Sequence, residues 1–116
     1  MPKTNEKEKN LRLKAIETAT KYATEIPLEI MKTAFESMEV MKAMAFNGMQ
    51  SSLSDTAVGI LCAKTAVVGA YLNVRINAKD IKDEDFSGNI MKTARSIFDN
   101  ADEMEKDVMT YINSKL

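Results

Sequence analysis

A chain of 116 residues and 12.9 kDa has room for a single domain, taken here as residues 1–116. With 45% hydrophobic and 28% charged residues, two prolines and four glycines, it is neither a disordered nor a collagen-like polymer. Sixteen basic against seventeen acidic residues leave a net charge of -1, which removes the electrostatic footprint of a nucleic-acid binder or a polybasic membrane-surface protein.

The absence of histidine and the single cysteine, Cys62, exclude the usual zinc sites, Cys-His nucleophile pairs and disulfides within one chain, so no metal site is expected. A chain this short buries only about two-thirds of its unfolded surface, so a leftover apolar face is expected to find a partner. Residues 1–10 have nearly balanced charge and no apolar core, which is not a secretory signal and makes the cytoplasm the expected compartment.

From Thr4 to Asn47 the sequence is rich in Ala, Glu, Lys and Met and reads as helix, with Thr4 or Asn5 as N-cap and Glu6 and Glu8 in the first turn. Pro27 is the one interruption, because an interior proline removes a backbone hydrogen bond; a kink or break is expected there. Beyond it Ile30, Met31, Ala34, Met38, Met41 and Ala45 repeat at helical spacing, and this methionine-rich stripe reads as core. Asn47, Gly48, Gln50, Ser51 and Ser52 then stop the helix.

A second helix is predicted over Ser54 to Asn77, the most apolar part of the chain and therefore its central, most buried element. Its length would span a bilayer, but Lys64 at its middle argues against insertion. Cys62, with apolar neighbours on both sides, reads as a buried small hydrophobe. Four acids between Asp80 and Asp85 mark a solvated turn that favours the next helix start. Ile90, Ala94, Ile97, Ala101, Met104, Val108 and Ile112 carry a third amphipathic helix to the end. The fold class is all-α, an antiparallel bundle of three long helices.

On the central helix Asp55, Gly59, Ala63, Ala66, Ala70, Asn73 and Asn77 are spaced by fours and threes and share one face. Its small middle suits a close helix crossing. Its polar ends leave alternatives open. Asn73 and Asn77 either meet a planar heterocyclic amide or satisfy each other and nearby backbone. Asp55 is either a site acid or the far half of a capping box with Ser52. Lys64, Val68, Tyr71 and Arg75 form a separate stripe expected to reach solvent, with Arg75 suited to clamping a carboxylate.

The ordered set Ser54-Asp55, Ala57, Gly59, Ala66, Gly69-Ala70, Leu72-Asn73-Val74-Arg75-Ile76-Asn77 and Lys82-Asp83, preceded by Ile26-Pro27-Leu28-Glu29, resembles the C-terminal portion of the cyclodeaminase/cyclohydrolase family. That family includes formiminotetrahydrofolate cyclodeaminase and a methenyltetrahydrofolate cyclohydrolase. The resemblance implies a helical, usually dimeric protein acting on a tetrahydrofolate derivative as substrate, without a metal. It further implies Asp55 as a candidate catalytic or site-lining acid, with Ser54, Asn73, Asn77 and Arg75 toward the substrate. The glycine-rich turn and acidic helix of the family's first part are missing. The competing expectation is a non-catalytic helical dimerisation module that keeps the family's packing face. No nucleic acid or membrane partner is expected under either.

Overall fold

The periodic segments fold as helices with nearly the predicted bounds. The structure, a computed structural model, describes residues 3–116, with side chains from Asn5 onward. Helix α1 spans Lys3–Asn47, α2 spans Leu53–Ala78 and α3 spans Glu84–Lys115; a 3-10 turn, Gln50–Ser52, joins α1 to α2. No strand occurs among the described residues. Thr4 and Asn5 lie inside α1 rather than ahead of it.

Pro27 stands within one continuous helix, and its effect is local. Lacking an N–H, it cannot bond the carbonyl four residues back, that of Ala23. Asn77 of α2 does so instead, its Nδ2 donating to the Ala23 oxygen at 3.1 Å. The proline ring itself is buried. At the other end of α1 the Gly48 N–H donates to the Met44 carbonyl at 2.7 Å, and a Cβ at Gly48 would collide with that oxygen. Only glycine fits this close approach.

The chain runs up, down and up again, and contacts at both ends fix that topology. At one end Gln50 Nε2 donates to the Lys115 carbonyl at 2.9 Å and Phe46 packs on Tyr111 with ring centroids 4.3 Å apart. At the other, the Glu17 carboxylate accepts the Lys82 and Asp83 N–H groups at 2.9–3.1 Å, and Lys21 pairs with Asp83 at 2.9 Å. Asp83 also caps α3, accepting from the Phe86 N–H at 3.1 Å, as the acidic turn predicts.

Met31, Met38, Ile60, Val67, Val74, Ala94, Ala101, Val108 and Ile112 are fully buried, so the methionine stripe is core. Ile30, predicted in that stripe, is instead half exposed. The molecule is a rod of 72 × 19 × 15 Å. Residues 6–16 of α1 are exposed, Leu11, Leu13 and Ile16 among them.

The central helix is covered on one face only. Leu53, Ala57, Ile60, Val67, Ala70 and Val74 are buried, while Val58, Leu61, Leu72 and Ile76 are 41–61% exposed. Cys62 is exposed on the same open side, not buried; its apolar sequence neighbours lie partly on that uncovered face. The segment Gln50–Ala78 is long and apolar enough to cross a membrane by length and composition. In the fold it packs along α1 and α3 with a paired charge, Lys64, at mid-length.

Candidate functional site

The polar residues singled out on α2 arise where its small-residue stripe emerges from the packed face. Ser54 and Asp55 are exposed in the first turn. The capping box does not form: Ser52 occupies the N-cap position without a side-chain cap bond, and its carbonyl accepts from Thr56 Oγ1 at 2.9 Å. Asp55 therefore has no capping partner, and its carboxylate accepts no hydrogen bond among the described residues.

Downstream the stripe turns inward. Gly59 lies under Met41, where an added Cβ would sit 2.7 Å from the sulfur; Ala63 is half-buried and Ala70 buried. Ala66 and Asn73 emerge again into the open, and Asn73 is unpartnered among the described residues. Asn77 is half-buried and donates one N–H to the Ala23 carbonyl, so a contact to nearby backbone is made while its Oδ1 and second N–H remain uncommitted among the described residues. Eighteen residues at about 1.5 Å rise separate Asp55 and Asn73 by roughly 27 Å. One chain does not bring them together.

The Lys64 stripe is not solvated as the sequence predicts. The Lys64 side chain is 12% exposed and bridges Asp102 at 3.0 Å and Glu105 at 2.9 Å on α3. Burial pushes its pKa down, but the bonds from Glu105 and Asp102 outweigh that and hold it above the ordinary lysine range. Asp102, bonded to Lys64 and Lys106, is held below the usual carboxylate range. The acidity of the last helix was a readable signal for this contact. Next to it, Leu61, Val68, Gly69, Leu72 and Glu105 line an opening of about 420 Å³.

Tyr71, in the same stripe, is buried against Phe98 with ring centroids 4.7 Å apart. Its hydroxyl accepts from Arg95 Nη1 at 3.3 Å, and the Arg75 guanidinium lies 5.7 Å from its ring centroid. Arg75 is exposed, so for this residue the reach to solvent is realised. The Tyr71 hydroxyl, followed by Asp99, stabilises the charged form of Arg95. Arg95 escaped the sequence reading because charged positions on an amphipathic helix look alike until the facing helix is known.

A larger open groove, about 930 Å³, runs between Tyr22, Ile26 and Ile30 of α1 and Phe86, Ile90 and Thr93 of α3. It contains none of Ser54, Asp55, Asn73, Arg75 or Asn77. Among the described residues no group of three or more His, Cys, Asp or Glu side chains is placed to hold a metal ion.

These features define an elongated all-α protein whose central helix is half uncovered and carries unpartnered polar groups near both ends of the open side. The chain belongs to the formiminotransferase-cyclodeaminase family, whose profile matches residues 1–109. It is 28% identical over 116 residues, its whole length, to a methenyltetrahydrofolate cyclohydrolase of Methylorubrum extorquens, of which it covers 56%. It is 36% identical over 101 residues to a formimidoyltransferase-cyclodeaminase of Dictyostelium discoideum, covering 87% of this chain and 19% of that protein. A formimidoyltransferase-cyclodeaminase of Gallus gallus is 36% identical over 86 residues, 74% of this chain and 16% of its own length. The chain thus spans about half or less of these relatives.

Proposed function

We propose that this chain serves folate one-carbon chemistry in the cytoplasm, as the helical portion of a formiminotetrahydrofolate cyclodeaminase or a methenyltetrahydrofolate cyclohydrolase. The observation that carries the reading is the family match across residues 1–109. Cyclodeamination closes N10 of the folate onto the formimino carbon and expels ammonia; the cyclohydrolase adds water to the resulting methenyl carbon. A carboxylate suits either step, because it can move a proton at the leaving or attacking group and stabilise the cation. Asp55, exposed and uncommitted, is the candidate, with Ser54, Asn73 and Arg75 toward the folate; Asn77 keeps its Oδ1 and second N–H for the same role beside its bond to Ala23.

The geometry supports a composite site. Asp55 and Asn73 open onto solvent too far apart along α2 to meet one reacting carbon, so the remaining groups come from protein packed on the uncovered face. A second copy of this chain, in a dimer or larger homo-oligomer, suits that apolar face. The same separation favours the second reading, a non-catalytic dimerisation module.

Thermal unfolding with 5-formiminotetrahydrofolate or 5,10-methenyltetrahydrofolate tests the proposal. Binding to the folded chain raises the melting temperature, and Asn73→Ala diminishes the rise. An unchanged melting temperature with both ligands would leave the dimerisation module as the reading. The chain is expected to turn over neither compound above the buffer rate, followed by methenyl absorbance, because Asp55 and Asn73 stand too far apart to meet one reacting carbon. Turnover abolished by Asp55→Asn would instead make this chain a complete small enzyme.

A further inference from the structure

Where α2 lies along α3, Arg75 and Arg95 both lie against Tyr71. The Tyr71 hydroxyl oxygen accepts from Arg95 Nη1 at 3.3 Å, so its own hydrogen is directed elsewhere, and no acceptor for it occurs among the described residues. The Arg75 guanidinium, one helical turn beyond Tyr71, makes no ion pair or hydrogen bond among the described residues and rests 5.7 Å from the tyrosine ring centroid. Among the described residues Arg95 has a single carboxylate, Asp99, at 3.6 Å. That is longer than the roughly 2.7–2.9 Å of a charge-assisted bond.

The other cross-helix cations of this chain are matched closely. Lys64 holds two carboxylates at 2.9 and 3.0 Å, and Lys21 holds one at 2.9 Å. In a chain with one more acid than base, two guanidinium groups nonetheless share one tyrosine. The platform is built to hold still: Tyr71 is only 5% exposed and stacked on Phe98, while Arg95 is 67% exposed and able to meet a ligand. A carboxylate would offer the Arg75 guanidinium and the phenol O–H an acceptor that no described residue gives them, and Arg95 a closer one than Asp99.

We propose that Tyr71, Arg75 and Arg95 form a carboxylate-binding subsite, which on the folate reading above receives the glutamyl carboxylates of the tetrahydrofolate. Arg75 faced the folate in that reading on resemblance; the structure adds Arg95 and Tyr71 as its companions and gives all three one ligand group.

The experiment compares tetrahydrofolate with tetrahydropteroate, which lacks the glutamyl group, by calorimetry on the full chain. Tetrahydrofolate is expected to bind about tenfold more tightly, the gain of a charged hydrogen-bond pair at an open site. Arg75→Gln, Arg95→Gln and Tyr71→Phe should each shrink that gap by about threefold or more, with tetrahydropteroate binding and helicity unchanged in the Arg95→Gln and Tyr71→Phe proteins. Equal affinities for the two, or a preference that survives all three substitutions, would overturn the subsite while the folate reading stands.

If neither pterin binds, the folate reading fails, and the subsite is judged alone by titrating glutamate and inorganic phosphate against the arginine Nε–H resonances. Glutamate shifting Arg75 and Arg95 together, and not in the Tyr71→Phe protein, supports it. No shift with glutamate overturns it, as does a response confined to phosphate.

Discussion

Replacing Asn77 by Ala exposes the coupling between Pro27 and the central helix. The lost bond is neutral, 3.1 Å long and lies at an exposed carbonyl, so water replaces much of it. The cost falls in the range for a net hydrogen bond, about 1 kcal/mol. In a Pro27→Ala background the backbone N–H at position 27 returns to the Ala23 carbonyl, and Asn77→Ala should then cost only about 0.3 kcal/mol. The two substitutions should thus couple by about 0.7 kcal/mol, above the roughly 0.3–0.5 kcal/mol scatter of independent sites. Urea unfolding of the wild type, both single variants and the double variant, followed by far-UV circular dichroism, measures the coupling. An Asn77→Ala cost that is the same in the wild-type and Pro27→Ala backgrounds would refute the idea that this amide replaces the proline's missing donor. The double variant, folded without the Asn77 amide, also shows whether that side chain has any separate effect on ligand binding.

Lys64→Met keeps the aliphatic stem and removes the charge from between Asp102 and Glu105; a loss of about 1–2 kcal/mol in urea unfolding is expected, and a neutral result would show the bridge to be incidental. Glu17, Asp83 and Asp102 titrate below their ordinary values, the first held down by the Lys82 and Asp83 amides, the others first by bonds from Lys21 and Lys64. Their folded pKa values lie below the unfolded ones, so their contribution is complete above about pH 5 and is lost as pH falls through the depressed values. Glu17→Gln should flatten that acid decline, and an unchanged pH profile would count against the Glu17 contact. Gly69 has nothing within 4 Å of an added Cβ and sits on the open side of α2. Gly69→Leu should therefore stabilise the monomer by up to about 1 kcal/mol and, if a second copy covers that face, split the dimer in light scattering.

The helical repeats of α1 and α3 were legible because each buries one continuous stripe, and period alone identifies it. The acidic turn was equally legible, since Asp83 caps locally. Cys62 and Ile30 were not: apolar neighbours look the same in sequence whether or not anything covers the face they share. The pairing of Asn77 with Ala23 joins residues 54 apart, and only the register of α1 against α2 creates it. Ser52 and Asp55 have the spacing of a capping box, but the 3-10 turn ahead of α2 leaves the box unformed. Asp55 and Asn73 were visible as polar ends of a stripe. Arg95 was not, for its significance depends on the tyrosine opposite.

The grip of Glu17 on the α2–α3 turn divides α1 into two thermodynamic regimes within one geometric helix. On its far side the main chain has little but its own bonds to hold it, and an isolated stretch of that length is marginal in water. Amide hydrogens of residues 6–16 should exchange through local fraying, orders of magnitude faster than those around Met31 and Met38, which open only when the whole rod does. The step in protection would fall near Glu17, in the middle of uninterrupted helix, and would mark where secondary structure ends its dependence on itself and begins to depend on the fold.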